Sequence, residues 1–247
     1  MGKLSKTAQR ALSAYGGATI WQKAQRIEAI ADVSGLAFRL KFRPLFRSVR
    51  IELKVHEPVS KITPIGSQPG LSGILQGHDV WLEDATGIIA DSRPAARKYF
   101  PGGRRLFYWD ELDMAYFANY AFWNYLTLPA LLMNPEIYWT ERAPGILDVD
   151  FPRHIPTHSP RQTFFFAAET GLLKQHNYTA EVIGKWATAA HVIHGHTTQN
   201  GLAYPNRMHR LIRAPNRTQV AAGKFLNNIS LPFRLIFHSH MKFGGEP

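Results

Sequence analysis

Four histidines near the C-terminus have the spacing of metal ligands. His194 and His196 form one pair, close to His191, and His238 and His240 form another. Residues two apart on a strand share a face, so each pair would point one way and His191 the other. If the two strands were neighbours, the four imidazoles could hold iron, zinc or copper. The region contains no carboxylate, however, and both pairs could equally face solvent, so we predict neither a metal nor any other cofactor.

Proton transfer is the second chemistry that the sequence allows. His176 and Tyr178 share one face of the strand predicted for "KQHNYTAEV", and together they could shuttle a proton inside a cavity. They are therefore the candidate catalytic residues. A buried histidine and tyrosine that only satisfy each other would give the same pattern.

Several other chemistries are excluded or disfavoured. The chain has no cysteine, so disulfides and thiol nucleophiles are absent. There is no G-x-S-x-G, and "GILQG" and "PGGRR" match neither a P-loop nor a dinucleotide fingerprint. In "RLKFRPLFR" aromatic residues lie among basic ones, as a nucleic-acid stacking platform would need. Their strict alternation turns the rings inward, so the pattern does not favour nucleic acid.

The positive charge is concentrated near the C-terminus. The net charge is +11, and no Asp or Glu occurs between Glu181 and Glu246, a stretch with eight Lys or Arg and six His. Such asymmetry indicates an anionic partner, with a membrane surface as the candidate, or a basic surface that has no partner. The residues predicted to form the anionic-lipid surface are Arg207, Arg210, Arg213, Arg217 and Arg234.

The elements that must position these residues are mainly strands. "LAFRLKFR" and "VRIELKVH" alternate apolar and polar residues, which is typical of an antiparallel pair with one wet face. Further alternating segments and turns, including Asn200-Gly201, bring the prediction to about ten strands. A short N-terminal helix covers about residues 5–15. Because no linker divides the chain, we predict a single domain over residues 1–247, mainly β with helical insertions.

The most apolar stretch is "DMAYFANYAFWNYLTLPALLM", residues 113–133. Acids at its start and Pro129 at its end predict a helical insertion over about residues 111–128. Two asparagines and a proline make it unsuitable as a transmembrane helix. One face is apolar, while the other carries rings with polar tips, typical of a surface half wet and half ligand-facing. The helix could simply fill the core, or it could cover a cavity.

The order of these features resembles a known fold. "AYGGATIWQKAQRIEAI", the paired strands, "GHDVWLEDATG", the helical insertion and "TGLLKQHNYTAEVIG" together resemble the LolA/LolB-like (lipoprotein-carrier-like) superfamily. More closely, the chain is similar to bacterial proteins with an N-terminal GG-x3-W motif, here Gly16, Gly17 and Trp21. The resemblance implies a curved antiparallel sheet, or incomplete barrel, with helices covering its concave face. In the carriers of that superfamily, this lumen holds acyl chains.

We therefore predict binding of a lipid or other long hydrophobic ligand in a half-barrel cavity, with a basic surface for anionic headgroups. The alternative is a small cofactor-free or His-metal enzyme acting on a hydrophobic substrate in the same cavity. The N-terminus lacks the apolar run of a secretory signal, so we expect a cytoplasmic protein. The sequence does not specify the oligomeric state. The predicted ligand-binding residues are Phe38, Phe42, Tyr116, Phe117, Tyr120, Trp123, Asn124 and Phe165.

Overall fold

The computed structural model describes residues 4–35, 41–199, 202–212, 227–230 and 233–236. Within them the chain forms fourteen strands, all paired antiparallel, and a few helices. The strands are β1 Arg26–Gly35, β2 Phe46–Lys54, β3 Val59–Thr63, β4 Ser72–Gln76, β5 Asp79–Glu83, β6 Ile89–Arg93, β7 Tyr138–Ala143, β8 Ile146–Asp150, β9 Arg161–Phe166, β10 Leu173–Thr179, β11 Thr188–Gln199, β12 Leu202–Ile212, β13 Asn227–Ser230 and β14 Phe233–Ile236.

The strands form one continuous sheet. Its order is β6-β5-β4-β3-β2-β1-β13-β12-β11-β10-β9-β8-β7, and β14 also pairs with β1. Most neighbours in the sheet are neighbours in the chain, as in a meander built from hairpins. Among the described residues the end strands β6 and β7 each pair with one strand only, so the sheet is open and does not close into a barrel.

Four α-helices accompany the sheet in the described part of the chain. They are α1 Lys6–Ala14, α2 Ala18–Lys23, α3 Glu111–Leu126 and α4 Leu128–Leu131. Two 3-10 turns, Ala96–Tyr99 and Gly103–Leu106, precede α3. No helix among the described residues has the length and apolar character needed to cross a membrane.

The GG-x3-W motif has a structural role. Gly16 and Gly17 have φ values of 97° and 91°, a left-handed conformation that favours glycine. The Gly17 amide donates to the Leu12 carbonyl, which ends α1 and turns the chain into α2. Trp21 is then buried, and its Nε1 donates to the Tyr15 carbonyl at 2.7 Å. The motif thus joins the two N-terminal helices to the core.

The sheet curls around α3. Asn119 of α3 donates to the Gly73 carbonyl on β4, while the Tyr125 hydroxyl lies 3.1 Å from that of Tyr178 on β10. These strands are seven positions apart in the sheet, which is roughly 30 Å if the sheet were flat. A helix with its side chains is only about 10–12 Å across. One helix can touch both strands only because the sheet bends round it.

Two expectations about the strands were wrong. The predicted strand "LAFRLKFR" does not include Lys41 and Phe42, which form a turn, and β1 instead covers Arg26–Gly35. The segments "SGILQGHDVWLED" and "NNISLPFRLIFHSH", each expected to form one strand, contain two strands each, and β3 was not expected. The sheet therefore has fourteen described strands where about ten were expected. The turn between β4 and β5 is only Gly77-His78, and Gly77 has a φ of 59°. Because this turn has only two residues, few turn-forming residues in the sequence mark the boundary between the two strands.

The prediction that one face of α3 is partly exposed to water was also wrong. All its residues are buried except Glu111 and Tyr125. Two of the polar tips donate to protein carbonyls, Trp123 to that of Lys54 and Asn124 to that of Pro156. Helices that are buried all round occur where structure surrounds them, and here the curled sheet does so.

Candidate ligand-binding site

A cleft lies between the two ends of the open sheet. It has a volume of about 510 Å³ and is contributed by segments far apart in the sequence. One side comes from the β4–β5 turn and the first 3-10 turn, and the other from residues 151–160 and Glu181, which follow β8 and β10. The lining residues are His78, Ala95, Arg97, Lys98, Phe151, Pro152, Arg153, Ile155, Thr157, Pro160 and Glu181.

Arg97 holds the two sides of the cleft together. Its guanidinium donates to the carbonyls of Thr157 at 2.9 Å and His158 at 3.2 Å, and to Glu181 Oε2 at 2.6 Å. Burial opposes the charge, but the groups around the guanidinium, among them the Glu181 carboxylate, outweigh it and raise the pKa of Arg97 above its ordinary value. A permanent cation is therefore fixed in the wall of the cleft.

His78 makes a second connection across the cleft. Its Nε2 lies 2.8 Å from the Arg153 carbonyl, and since a carbonyl only accepts, this nitrogen carries the proton. Its Nδ1 lies 2.7 Å from the Tyr116 hydroxyl, so in the neutral ring it accepts from Tyr116. Burial raises the pKa of Tyr116, which therefore stays a neutral donor. His78 links the cleft to α3.

The cleft combines apolar walls with positive charge. Phe151 and Ile155 are buried and present apolar surface, while Lys98 and Arg153 are exposed at the rim. Glu181 is the one acid among the lining residues, and it is bound to Arg97. Because Lys98 and Arg153 add further positive charge, the arrangement suits a molecule with an apolar body and an anionic end.

Behind the cleft lies a buried network of tyrosines and histidines. His158 is fully buried, with its Nδ1 3.2 Å from the Tyr120 hydroxyl and its Nε2 2.7 Å from the Tyr125 hydroxyl. The ring of Tyr178 stacks on His158 with centroids 3.9 Å apart. These groups satisfy one another and connect α3 to β10.

His176 and Tyr178 do lie side by side, with ring centroids 4.9 Å apart, as their spacing predicted. The His176 ring is buried, stacks on Phe164 and has its Nε2 2.5 Å from Gln162 Oε1. Burial lowers the pKa of His176 to about 3. A ring with this pKa is neutral near pH 7 and accepts a proton poorly. Whether the pair is catalytic stays a prediction.

Two smaller cavities lie elsewhere. A groove of about 410 Å³ crosses β8 to β11 and is lined mostly by polar side chains, among them Asp148, Asn177 and Tyr178. A cavity of about 380 Å³ lies between His56 and Glu136, next to α4. Neither combines apolar walls with a cationic rim as the larger cleft does.

Similarity to known proteins is confined to the fold. No protein-family model and no curated protein matches the sequence. Among solved structures, the chain is similar to a DUF1329 family protein from Desulfovibrio piger ATCC 29098, with a TM-score of 0.50, 13% identity and coverage of 95% of this chain and 93% of that one. The chain shares its fold with that protein.

Two further neighbours match the resemblance found in the sequence. One is a LolA superfamily protein from Nitrosomonas europaea, with a TM-score of 0.49, 10% identity and coverage of 93% and 92% of the two chains. The other is an outer membrane lipoprotein-sorting protein domain from Vibrio parahaemolyticus, with a TM-score of 0.46, 12% identity and coverage of 96% and 93%. Their names agree with the resemblance seen in the sequence, and the similarity concerns the fold alone. At such low identity the similarity says nothing about a ligand.

The residues predicted to bind the ligand lie apart from the cleft. Six of them are buried, and none of the three cavities described above includes them among its lining residues: Tyr116, Phe117, Tyr120, Trp123, Asn124 and Phe165. Tyr116 is in direct contact with a cleft residue, His78. Phe42 is exposed, and Phe38 is outside the described residues. Ligand contact by these residues stays a prediction.

Some of the histidines and arginines predicted to bind metal or anionic lipid lie outside the described residues. His194 is exposed, whereas His196 is half-buried with its Nε2 3.2 Å from the Tyr15 hydroxyl. The register of β11 and β12 shifts between Ile193 and His196, so His194 and His196 have different surroundings. No group of three potential metal ligands occurs in the described part of the chain. His238 and His240 lie outside it, as do Arg213 and Arg217.

For three of the predicted arginines the structure gives only the strand register. Arg207 pairs with Gly195, Arg210 with His191 and Arg234 with Glu28. The predicted anionic-lipid surface therefore stays a prediction.

Sequence reasoning missed His78, Arg97 and Arg153. Each is a single residue in a turn or loop, and the residues that surround it come from other parts of the chain. The one available signal was the basic composition of "ARKYFPGGRR" before α3, since loop residues often carry function.

Proposed function

We propose that the protein binds a long hydrophobic molecule with an anionic end, such as a fatty acid or an acidic lipid. The observation that carries this proposal is the cleft of about 510 Å³, in which apolar walls meet Arg97, Lys98 and Arg153. Its volume is in the range of small-molecule sites, roughly 300–1,000 Å³. The curled sheet supports the proposal because it leaves an opening between its two ends.

The ligand would enter with its anionic end at the rim. Lys98 and Arg153 are exposed and would meet the charge, while Arg97, paired with Glu181, holds the wall in place. The chain would lie against Phe151 and Ile155. This places the site at the opening of the sheet, because α3 fills its inside. The enzyme alternative gains less support, because His176 is buried and hydrogen-bonded to Gln162.

A charge-reversal experiment tests the site. The double variant Lys98→Glu, Arg153→Glu removes the rim cations, and Lys174→Glu, Lys185→Glu changes two exposed lysines outside the cleft by the same charge. Binding of a fluorescent stearic-acid derivative and of its methyl ester would be measured by titration. We expect the rim variant to weaken binding of the acid roughly three- to tenfold, because each exposed charge contact contributes up to about 1 kcal/mol.

The ester and the control variant give the decisive comparison. The ester should bind both variants about equally, because it has no charge to lose. The control variant should bind the acid as the natural protein does. No saturable binding of either probe, or equal losses in both variants, would refute the proposal. Extraction of the purified protein followed by mass spectrometry should also recover a bound hydrophobic acid.

A further inference from the structure

An exposed apolar patch lies on the turn before β2 and on the segment that leads into α3. Phe107 and Phe42 are 73% and 72% exposed, and Leu106 is 50% exposed. Tyr99 and Tyr108 add two partly exposed rings. These five residues, Phe42, Tyr99, Leu106, Phe107 and Tyr108, are called the aromatic patch below.

Hydrogen bonds hold the two parts of the aromatic patch together. Lys41 is buried and its Nζ donates to the carbonyls of Arg105 and Leu106 at 2.9 and 2.6 Å. Arg43 donates to the Tyr108 hydroxyl at 3.0 Å and forms an ion pair with Glu111 at 2.6 Å. Phe42 lies between these two anchors in the chain, so its backbone is held close to the segment that leads into α3.

These exposed rings contribute little to the stability of the fold. Phe42 has a φ of 57°, a conformation that is unfavourable for a bulky residue, and its ring has little contact with the protein. Strained residues persist when the surroundings enforce them, and they are concentrated at functional sites. Grouped apolar side chains on a surface mark contacts with a partner or a membrane.

The charges around the patch are mostly positive and mostly paired. Residues 41–43 and 93–113 contain seven Lys or Arg and three Asp or Glu. Arg104 and Arg105 bind the carboxylates of Asp110 and Asp113, and the Arg105 guanidinium also lies 5.0 Å from the centre of the Tyr99 ring. The result is an apolar surface with a moderate positive excess.

We propose that the aromatic patch docks the protein onto an anionic lipid bilayer. Phe and Leu side chains would enter the interface between headgroups and acyl chains, and Tyr rings suit the headgroup level. The positive excess would favour acidic lipids. Nucleic acid fits less well, because Leu106 offers no ring for stacking. The patch adjoins the cleft, since Tyr99 follows Lys98, but docking does not require that the cleft bind a ligand.

A single labelled position provides the first test. Since the chain has no cysteine, Phe107→Cys can carry an environment-sensitive thiol dye without any other site reacting. Tyr138→Cys on β7, which is 69% exposed, is the matched control. With vesicles of phosphatidylcholine and phosphatidylglycerol, the dye at position 107 should shift to the blue and brighten, and the dye at position 138 should not.

A second test removes the rings. In flotation with the same vesicles, Phe42→Ser, Phe107→Ser should lower partitioning about tenfold or more, because two large apolar side chains no longer enter the lipid. Tyr138→Ser should have no effect. Since both phenylalanines are exposed, the double variant should keep its fold by circular dichroism.

Other partners would give different results. A dye shift at position 107 with single-stranded DNA but not with vesicles would overturn the proposal in favour of nucleic acid. A shift that grows with protein concentration alone would overturn it in favour of a second copy of the chain. Equal shifts at positions 107 and 138, or undiminished flotation of the double variant, would also overturn it. Loss of fatty-acid binding in the cleft variants, with flotation retained, would leave docking supported.

Discussion

At the scale of single residues, burial decides what the interior histidines can do. His158 and His176 are both buried, and each is bound to neighbouring protein groups. Gln162 uses its amide nitrogen to donate to Thr157 and Ser159, so its oxygen accepts from Nε2 of His176. This fixes the neutral tautomer, and the burial of the ring keeps its pKa at about 3.

The low pKa of His176 has a consequence for acid stability. In the unfolded chain a histidine has a pKa near 6.5, so below about pH 6.5 the unfolded state binds a proton that the folded state does not. The contribution is complete above that pH and is lost as the pH falls toward 3. Between about pH 7 and 5, His176 should therefore remove roughly 2 kcal/mol from the free energy of unfolding.

Urea unfolding of His176→Gln measures this term. Glutamine can keep a hydrogen bond to Gln162 but does not titrate, so the variant should lose about 2 kcal/mol less stability than the natural protein between about pH 7 and 5. His56→Gln changes an exposed histidine and serves as the control. Parallel pH profiles for the natural protein and the His176 variant would show that the ring is protonated in the folded state.

At the scale of elements, helix ends were predictable because their signals are local. Ser5 caps α1 by accepting from the Ala8 amide, and Gly16 and Gly17 end it. Asp110 and Asp113 form a capping box at the start of α3. The predicted helices at about 5–15 and 111–128 therefore agree with α1 and α3 to within two residues.

Strand number and the surroundings of α3 were not predictable in the same way. β3 has only five residues and lies between two turns, so its alternating pattern is too short to stand out. The prediction that one face of α3 is partly exposed to water was wrong. A polar side chain in the sequence does not reveal whether its hydrogen-bond partner is water or a carbonyl group of the protein. Only the curl of the sheet, which depends on pairings across the whole chain, surrounds the helix.

In the candidate site, too, the features with a local sequence signal were predictable and those that depend on long-range contacts were not. The proximity of His176 and Tyr178 follows from the two-residue period of a strand and was predicted. The cleft follows from the meeting of residues near 78, 97, 153 and 181, and no local pattern brings these together. Long-range contacts of this kind become visible only with the fold.

The contact between α3 and β4 provides a test at this scale. A Cβ at Gly73 would lie 2.6 Å from Cβ of Ala115, which is too close for two carbon atoms. Gly73→Ala should therefore lower the free energy of unfolding by roughly 1–3 kcal/mol, as overpacking does. Gly102→Ala is the matched control, because its nearest contact would be an ordinary 3.5 Å.

A second substitution identifies the cause of the loss. In a background of Ala115→Gly the opposing methyl group is absent, so adding a Cβ at position 73 should cost clearly less than in the natural protein. Thermal or urea unfolding of the four proteins gives the coupling energy. Additive effects would mean that α3 does not press on β4 at Gly73.

At the scale of the whole molecule, two surfaces could contribute to membrane binding by different forces. The aromatic patch would act through burial of apolar rings, which depends weakly on salt. The acid-free stretch between Glu181 and Glu246 would act through charge. Charge acts over a Debye length of about 10 Å at 0.1 M salt, falling to about 3 Å at 1 M. Salt should therefore separate the two contributions.

Flotation with phosphatidylglycerol vesicles at low and high salt should show this separation. The triple variant Arg207→Glu, Arg210→Glu, Arg213→Glu should bind less at low salt and about as the natural protein does at high salt. Binding at high salt should depend on Phe42 and Phe107. Lys6→Glu, Lys23→Glu, Lys174→Glu changes the net charge equally outside the stretch, and an equal loss in that variant would assign the effect to net charge alone.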